Sequence, residues 1–115
     1  AVEITGWLQP EALRALYSRA RAFVYPSTFE GFGMPVLEAM AAGIPTVCSD
    51  IPPLREVAGD TAILFDPTSD ASLLAAIEQV LAAPPDTVPA VERARAFTWE
   101  AAARATIAAC EAAAR

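Results

Sequence analysis

Short apolar runs alternate with longer stretches in which apolar residues return at helical spacing. Residues 2–5 form a β-like run ended by Gly6, and Pro10 then suits the first turn of a helix, where its missing N–H costs nothing. Leu13, Leu16, Tyr17 and Ala20 fall at i, i+3, i+4 and i+7, which makes one apolar face. Residues 22–25 read as a second, buried strand stopped by Pro26, and residues 27–33 as a polar loop bearing glycine. Pro35 fits the first turn of a helix through Val36, Leu37, Ala39, Met40 and Ala41, which Gly43 ends. Thr46, Val47 and Cys48 make a third strand, and residues 51–59 a loop with one helical turn at 54–57. Residues 62–65 are a fourth strand, closed by Asp66 and Pro67. Ser69 or Asp70 caps a helix carrying Leu73, Leu74, Ile77, Val80 and Leu81, which Pro84 and Pro85 end. A shorter helix is predicted over 88–96, and a last one from Thr98 through Trp99, Ala103, Thr106, Ile107 and Cys110.

Short apolar strands alternating with amphipathic helices predict an α/β fold, a parallel sheet covered by helices. The 115 residues suffice for one domain with one core, and no repeat or linker divides them. Sheets of this kind take ligands at the carboxyl ends of their strands. The loop that follows the second strand, residues 27–35, therefore lies where a ligand belongs.

Composition narrows the chemistry. The net charge is −6, and all eight basic residues are Arg, with no Lys and no His. An acidic domain without a basic stripe is a poor match for nucleic acid. Histidine bases, histidine metal sites and Schiff-base lysines are excluded within these residues, and no metal-ligating cluster is present, so no bound metal is expected. No apolar run approaches the roughly 20 residues of a membrane span, and the first residues lack a signal-segment pattern. Cys48 and Cys110 lie far apart in apolar contexts and read as small buried hydrophobes in a reducing, cytoplasmic compartment, with a disulfide between them left open. Any association with a membrane is expected to reside in parts outside these residues.

The informative stretch runs from Pro26 to Gly43: a strand end, a glycine loop and a helix start. Gly31 and Gly33 allow close backbone approach and unusual dihedrals. Free N–H groups at Met34, Val36 and Leu37, with the helix dipole, favour an anion such as phosphate. Glu30 stands just before the turn and can reach a hydroxyl-rich part of a ligand, while Glu38 stands about one turn into the helix, within reach of a ribose. An ionised carboxylate only accepts hydrogen bonds, which suits paired sugar hydroxyls. Taken singly, each Glu is as readily a solvated charge as a ligand contact. The same holds for Phe29 and Phe32, which fit loop packing as well as sugar contact. Ser27 is expected to bond the turn, Arg55 and Glu56 to pair at the surface or line the cleft, and Trp99 to sit in the core or meet another domain.

Glu30 and Glu38 are separated by seven residues, and the segment resembles the E-x7-E motif of the family-4 type retaining glycosyltransferases. Tyr25-Pro26-Ser27, Glu38-Ala39-Met40-Ala41, Gly43-Ile44-Pro45, Leu54-Arg55-Glu56-Val57 and Phe97-Thr98-Trp99 are similar to that family's pattern in the same order. The resemblance implies a two-domain GT-B enzyme whose carboxy-terminal, Rossmann-like domain, with helices on both faces of its sheet, binds a nucleotide-sugar donor. It implies that Glu30 faces the donor sugar at the reacting centre, and that Gly31, Phe32 and Gly33 offer backbone contacts to sugar hydroxyls. Met34 and Val36 would offer N–H groups to the diphosphate, and Glu38 would bond the ribose. No cofactor beyond the donor substrate is implied.

The family places an Arg and a Lys earlier in this domain, and an acceptor-binding domain before it; these residues contain neither. The expectation is a partial domain that binds nucleotide-sugar weakly and transfers nothing by itself. Its sheet would begin at the third strand of the order 3-2-1-4-5-6. The 22–25 strand would then keep an open edge, which either drives self-association or re-pairs with residues 2–5. Two other readings belong to different classes: a GT-B epimerase, and a module that only binds a partner.

Overall fold

A computed structural model describes residues 1–115. In chain order the elements are α1 (Pro10–Tyr17), β1 (Phe23–Tyr25), α2 (Met34–Ala41), β2 (Thr46–Ser49), α3 (Pro52–Ala58), β3 (Ile63–Phe65), α4 (Asp70–Ala82), α5 (Val88–Arg95) and α6 (Trp99–Ala113). The strands form one parallel sheet in the order β1-β2-β3. Helices lie on both faces, the Rossmann-like α/β architecture expected.

Parallel neighbours need a crossover, and α2 and α3 supply the two crossovers. The register Tyr25↔Cys48↔Leu64 and Val24↔Val47↔Ile63 sorts side chains between the faces. Phe23, Tyr25, Cys48 and Leu64 pack with Val36 and Met40 of α2, Leu54 and Val57 of α3, and Ala90 and Ala94 of α5. Val24, Val47, Ile63 and Phe65 pack on the other face with Ala76 and Val80 of α4. The central strand β2 is buried at every position, as a strand covered on both sides must be. Its two polar side chains are satisfied: Thr46 Oγ1 donates to the Ile44 carbonyl at 2.9 Å, and Ser49 Oγ to the Tyr25 carbonyl at 3.4 Å.

The helix ends follow local chemistry. Ser69 Oγ accepts from the Ser72 N–H at the start of α4, and Thr98 Oγ1 accepts from Ala101 at the start of α6. α3 is a full helix of seven residues, where the sequence reading had one turn, because Leu54, Val57 and Ala58 all find core positions. Its carboxyl end is closed from outside. Arg93 donates from Nε to the Val57 carbonyl at 2.7 Å and from Nη2 to that of Glu56 at 2.5 Å. The same guanidinium lies 5.8 Å from the ring centroid of Phe97.

Three expectations are corrected. Residues 2–5 are not a strand: Val2 and Ile4 are each 93% exposed, and neither pairs with β1. A four-residue run with two apolar side chains and no neighbour to pair with or pack against gains nothing from extension, since strand propensity is mostly packing. The sheet thus has three strands, and the outer edge of β1 carries none. Trp99 is 91% exposed and is not core, because α6 buries none of its residues here. Cys110 is exposed for the same reason. α1 also buries nothing fully; its contact with the sheet is Tyr17, edge-on to Phe23 at 5.8 Å.

Both cysteines are free thiols, Cys48 buried and Cys110 exposed. Burial, aided by the nearby Asp50 charge, pushes the Cys48 thiol up to about 11, so it is protonated at neutral pH. Maleimide labelling of native protein at neutral pH should modify Cys110 alone, with Cys48 reacting only in denaturant. Two labels per folded chain, counted by intact mass, would contradict this packing.

Candidate functional site

The carboxyl ends of the three strands lie together. The Asp50 N–H donates to the Phe65 carbonyl at 2.8 Å, and Ser49 reaches across to the Tyr25 carbonyl. From this rim the chain leaves β1 through Pro26 and the 27–33 loop and enters α2. Ser27 bonds the turn, as expected, donating from Oγ to the Phe29 carbonyl at 3.0 Å. Phe29 is 88% exposed and anchors nothing, while Phe32 packs edge-on against Phe97, with centroids 5.8 Å apart.

Gly33 is the N-cap of α2, with φ +100 and ψ 46. Its carbonyl accepts from the Val36 N–H at 3.0 Å and the Leu37 N–H at 3.3 Å. The expectation of free N–H groups at Val36 and Leu37 is therefore corrected: the first turn of the helix uses both. The free donors lie earlier. The N–H groups of Gly31, Phe32, Gly33 and Met34 have no acceptor within the protein. Four consecutive donors at the positive dipole end of the helix are thus left unpaired; Gly31, Phe32 and Met34 are exposed, whereas Gly33 is buried. The two glycines differ. Gly33 needs its left-handed φ, whereas Gly31 has no positive φ, and a Cβ there would meet open space.

The carboxylates take different places. Glu30 is half-buried and accepts from the Tyr25 hydroxyl at 2.5 Å on Oε1. That hydroxyl, and to a lesser degree the hydroxyl of Ser27, holds the Glu30 carboxyl below the usual carboxylate range. In return Glu30 is the main cause pushing Tyr25 up to about 12, with burial adding to it. Glu38 is exposed and opens into a groove of about 420 Å³ between α1 and α2, beside Arg14 and Tyr17. Arg55 pairs with Asp50 and not with Glu56, and this exposed pair is worth roughly 0–1 kcal/mol. Glu56 lines an apolar groove with Phe32, Met34, Leu37, Phe97 and Trp99.

Of the residues singled out in the sequence, Glu30, Gly31, Phe32, Gly33 and Met34 form one continuous turn. Val36 turns its side chain into the core and is fully buried. Two residues were missed. Leu54 lies under Gly33, and Tyr25 holds Glu30. The Tyr25 signal was available as a hydroxyl-bearing aromatic closing an apolar strand five residues before a loop Glu.

The fold and the loop together define a class: a parallel α/β domain that presents unpaired backbone donors beside Glu30 at the rim where such sheets take ligands, with Glu38 in the neighbouring α1–α2 groove. Residues 1–97 match the family described as glycosyl transferases group 1, and the chain belongs to that family. It is 41% identical over 103 residues to the O-antigen chain mannosyltransferase B of Escherichia coli, covering 86% of this chain and 27% of that protein. It is 40% identical to a glycogen synthase of Mycobacterium tuberculosis, covering 92% of this chain and 27% of that protein. Among solved structures, a sucrose-phosphate synthase from Thermosynechococcus elongatus superposes with a TM-score of 0.78 at 32% identity, over 96% of this chain and 30% of that one. The chain thus spans less than a third of the length of these relatives. No helix is long and apolar enough to cross a membrane.

The two glycines give a paired test. A Cβ at Gly33 would sit 2.3 Å from Leu54 Cδ2, in a φ that side chains disfavour. Gly33→Ala should therefore lose about 1–3 kcal/mol in urea unfolding. Gly31→Ala should change stability by no more than about 0.5 kcal/mol in either direction. Equal losses at both positions would contradict the geometry described for the turn.

Proposed function

We propose that this chain is the donor-binding part of a retaining, family-4 type glycosyltransferase with a GT-B fold. It moves a hexosyl group from a nucleotide-sugar to an acceptor. The observation that carries the proposal is the run of unpaired N–H groups from Gly31 to Met34, set between Glu30 and Glu38 at the start of α2. Family membership and the names of the relatives, mannosyltransferase and glycogen synthase among them, support the reaction class.

On this reading the diphosphate lies against the amino end of α2 and takes the Met34 N–H. The N–H groups of Gly31, Phe32 and Gly33 face sugar hydroxyls. Glu38, in the α1–α2 groove, accepts from the ribose hydroxyls. Glu30 is ionised at neutral pH and accepts from sugar hydroxyls beside the anomeric carbon. Transfer is by front-face attack. The bond from the anomeric carbon to the diphosphate oxygen breaks, and the acceptor oxygen bonds the same face. The acceptor's proton passes to the departing phosphate. No enzymic nucleophile is required, and Glu30 contributes by placing charge and hydroxyls at the reacting centre.

The acceptor-binding domain, and a cationic Arg and Lys for the diphosphate, belong to the enzyme outside these 115 residues. These residues alone are therefore expected to bind nucleotide-sugar weakly and to be inactive. The stripped outer edge of β1 then offers a surface for self-association in isolation.

Glu30→Gln in the enzyme carrying this domain should lower kcat by about 10²–10³ while leaving the unfolding midpoint close to the parent's. Steady-state kinetics at saturating donor measures it, and turnover at the parental rate would remove Glu30 from the chemistry.

A further inference from the structure

We propose that Tyr25 is a positioning residue that fixes the rotamer of Glu30 and leaves one carboxylate oxygen for the donor. This rests on the reading of Glu30 given above and adds what holds it in place. A carboxylate on a loop is free to swing about three torsions, and a residue near the reacting centre needs support from a rigid element. The Tyr25 hydroxyl donates to Oε1 of Glu30 at 2.5 Å, and the nearby Ser27 hydroxyl donates to the Phe29 carbonyl, so Oε2 is the oxygen left for a ligand hydroxyl.

Tyr25 is itself held by its strand and by the ring beside it. Its backbone stands in β1 opposite Cys48, and its carbonyl accepts from Ser49. Its ring stacks on Phe23, with centroids 6.0 Å apart and planes 16° apart. Phe23 in turn takes Tyr17 edge-on at 5.8 Å. The row Tyr17–Phe23–Tyr25 therefore runs from the groove that Glu38 lines to the Glu30 carboxylate. It ties the Glu30 carboxylate to the first strand.

Packing alone explains the rings but not the hydroxyl. The Glu30–Tyr25 bond keeps Glu30 ionised to lower pH than an ordinary carboxyl and keeps the phenol protonated, so the donor and acceptor roles stay fixed across the neutral range. The sign follows. Glu30's pKa is depressed by the bond, so removing the hydroxyl raises it, and the acid limb of activity moves to higher pH.

Tyr25→Phe keeps the ring and removes the hydroxyl alone. In the enzyme carrying this domain it should lower kcat about 10- to 100-fold, with donor KM changed by less than about threefold. It should also shift the acid limb of the kcat–pH profile upward and leave the unfolding midpoint near the parent's. A carboxyl NMR titration should show the Glu30 pKa rising in the variant. In a Glu30→Gln background, Tyr25→Phe should add less than about twofold, because the two act as one unit. Parental kcat and an unmoved acid limb in Tyr25→Phe, with Glu30→Gln impaired, would overturn the positioning role and leave the functional reading standing. So would effects of the two substitutions that multiply independently. A Glu30→Gln enzyme that turns over normally would overturn both.

Discussion

A side chain at position 33 has nowhere to go: its Cβ would stand 2.3 Å from Leu54 Cδ2, and Leu54 is fully buried. Bare backbone at Gly33 lets the loop drop onto α3 and turn into α2 in a single residue. The turn then uses the Gly33 carbonyl to start the helix, leaving the preceding N–H groups without a partner in the protein. On its far side the loop is tied through Phe32 to Phe97, and Phe97 lies under the Arg93 guanidinium that closes the end of α3. Three helices thus fix one loop, and the loop fixes the donors.

The electrostatics of the proposed site are unusual for one that takes an anion. The chain carries −6, and the loop is flanked by Glu30 and Glu38. Arg55, at the strand-end rim, is engaged with Asp50. In the proposed site the attraction for a diphosphate within these residues comes from backbone dipoles, which bring no net charge. The two carboxylates then serve the neutral hydroxyls on either side of the phosphates. This division gives the phosphate to the backbone at the helix start, and the hydroxyls to the carboxylates together with the Gly31, Phe32 and Gly33 N–H groups. It also explains why the proposed enzyme needs cationic groups from elsewhere.

Much of the fold was legible because α/β order writes itself as apolar runs between helical periods. Pro26, Gly43, Ser69 and Thr98 marked boundaries that the structure keeps within a residue or two. What failed to read were partners. Residues 2–5, Leu13, Leu16 and Trp99 carry apolar side chains whose burial depends on surfaces these residues do not supply. Periodicity shows a face and not what covers it. At the candidate site the loop, its glycines and both Glu residues were legible from the motif. Which N–H groups are free was not, because that depends on Gly33's dihedrals. The Tyr25–Glu30 bond was not legible either, since a contact across a loop leaves no periodic trace.

In the proposed site, the turn from Gly31 to Met34 is where a nucleotide-sugar's charged and hydroxyl groups bind. Amide NMR of this chain, titrated with a panel of nucleoside diphosphates and their sugar conjugates at millimolar concentration, tests it directly. The Gly31, Phe32, Gly33 and Met34 amides should shift most. Residues of α4, on the opposite face of the sheet, should stay still. A ligand that shifts amides elsewhere and leaves those four unmoved would contradict it.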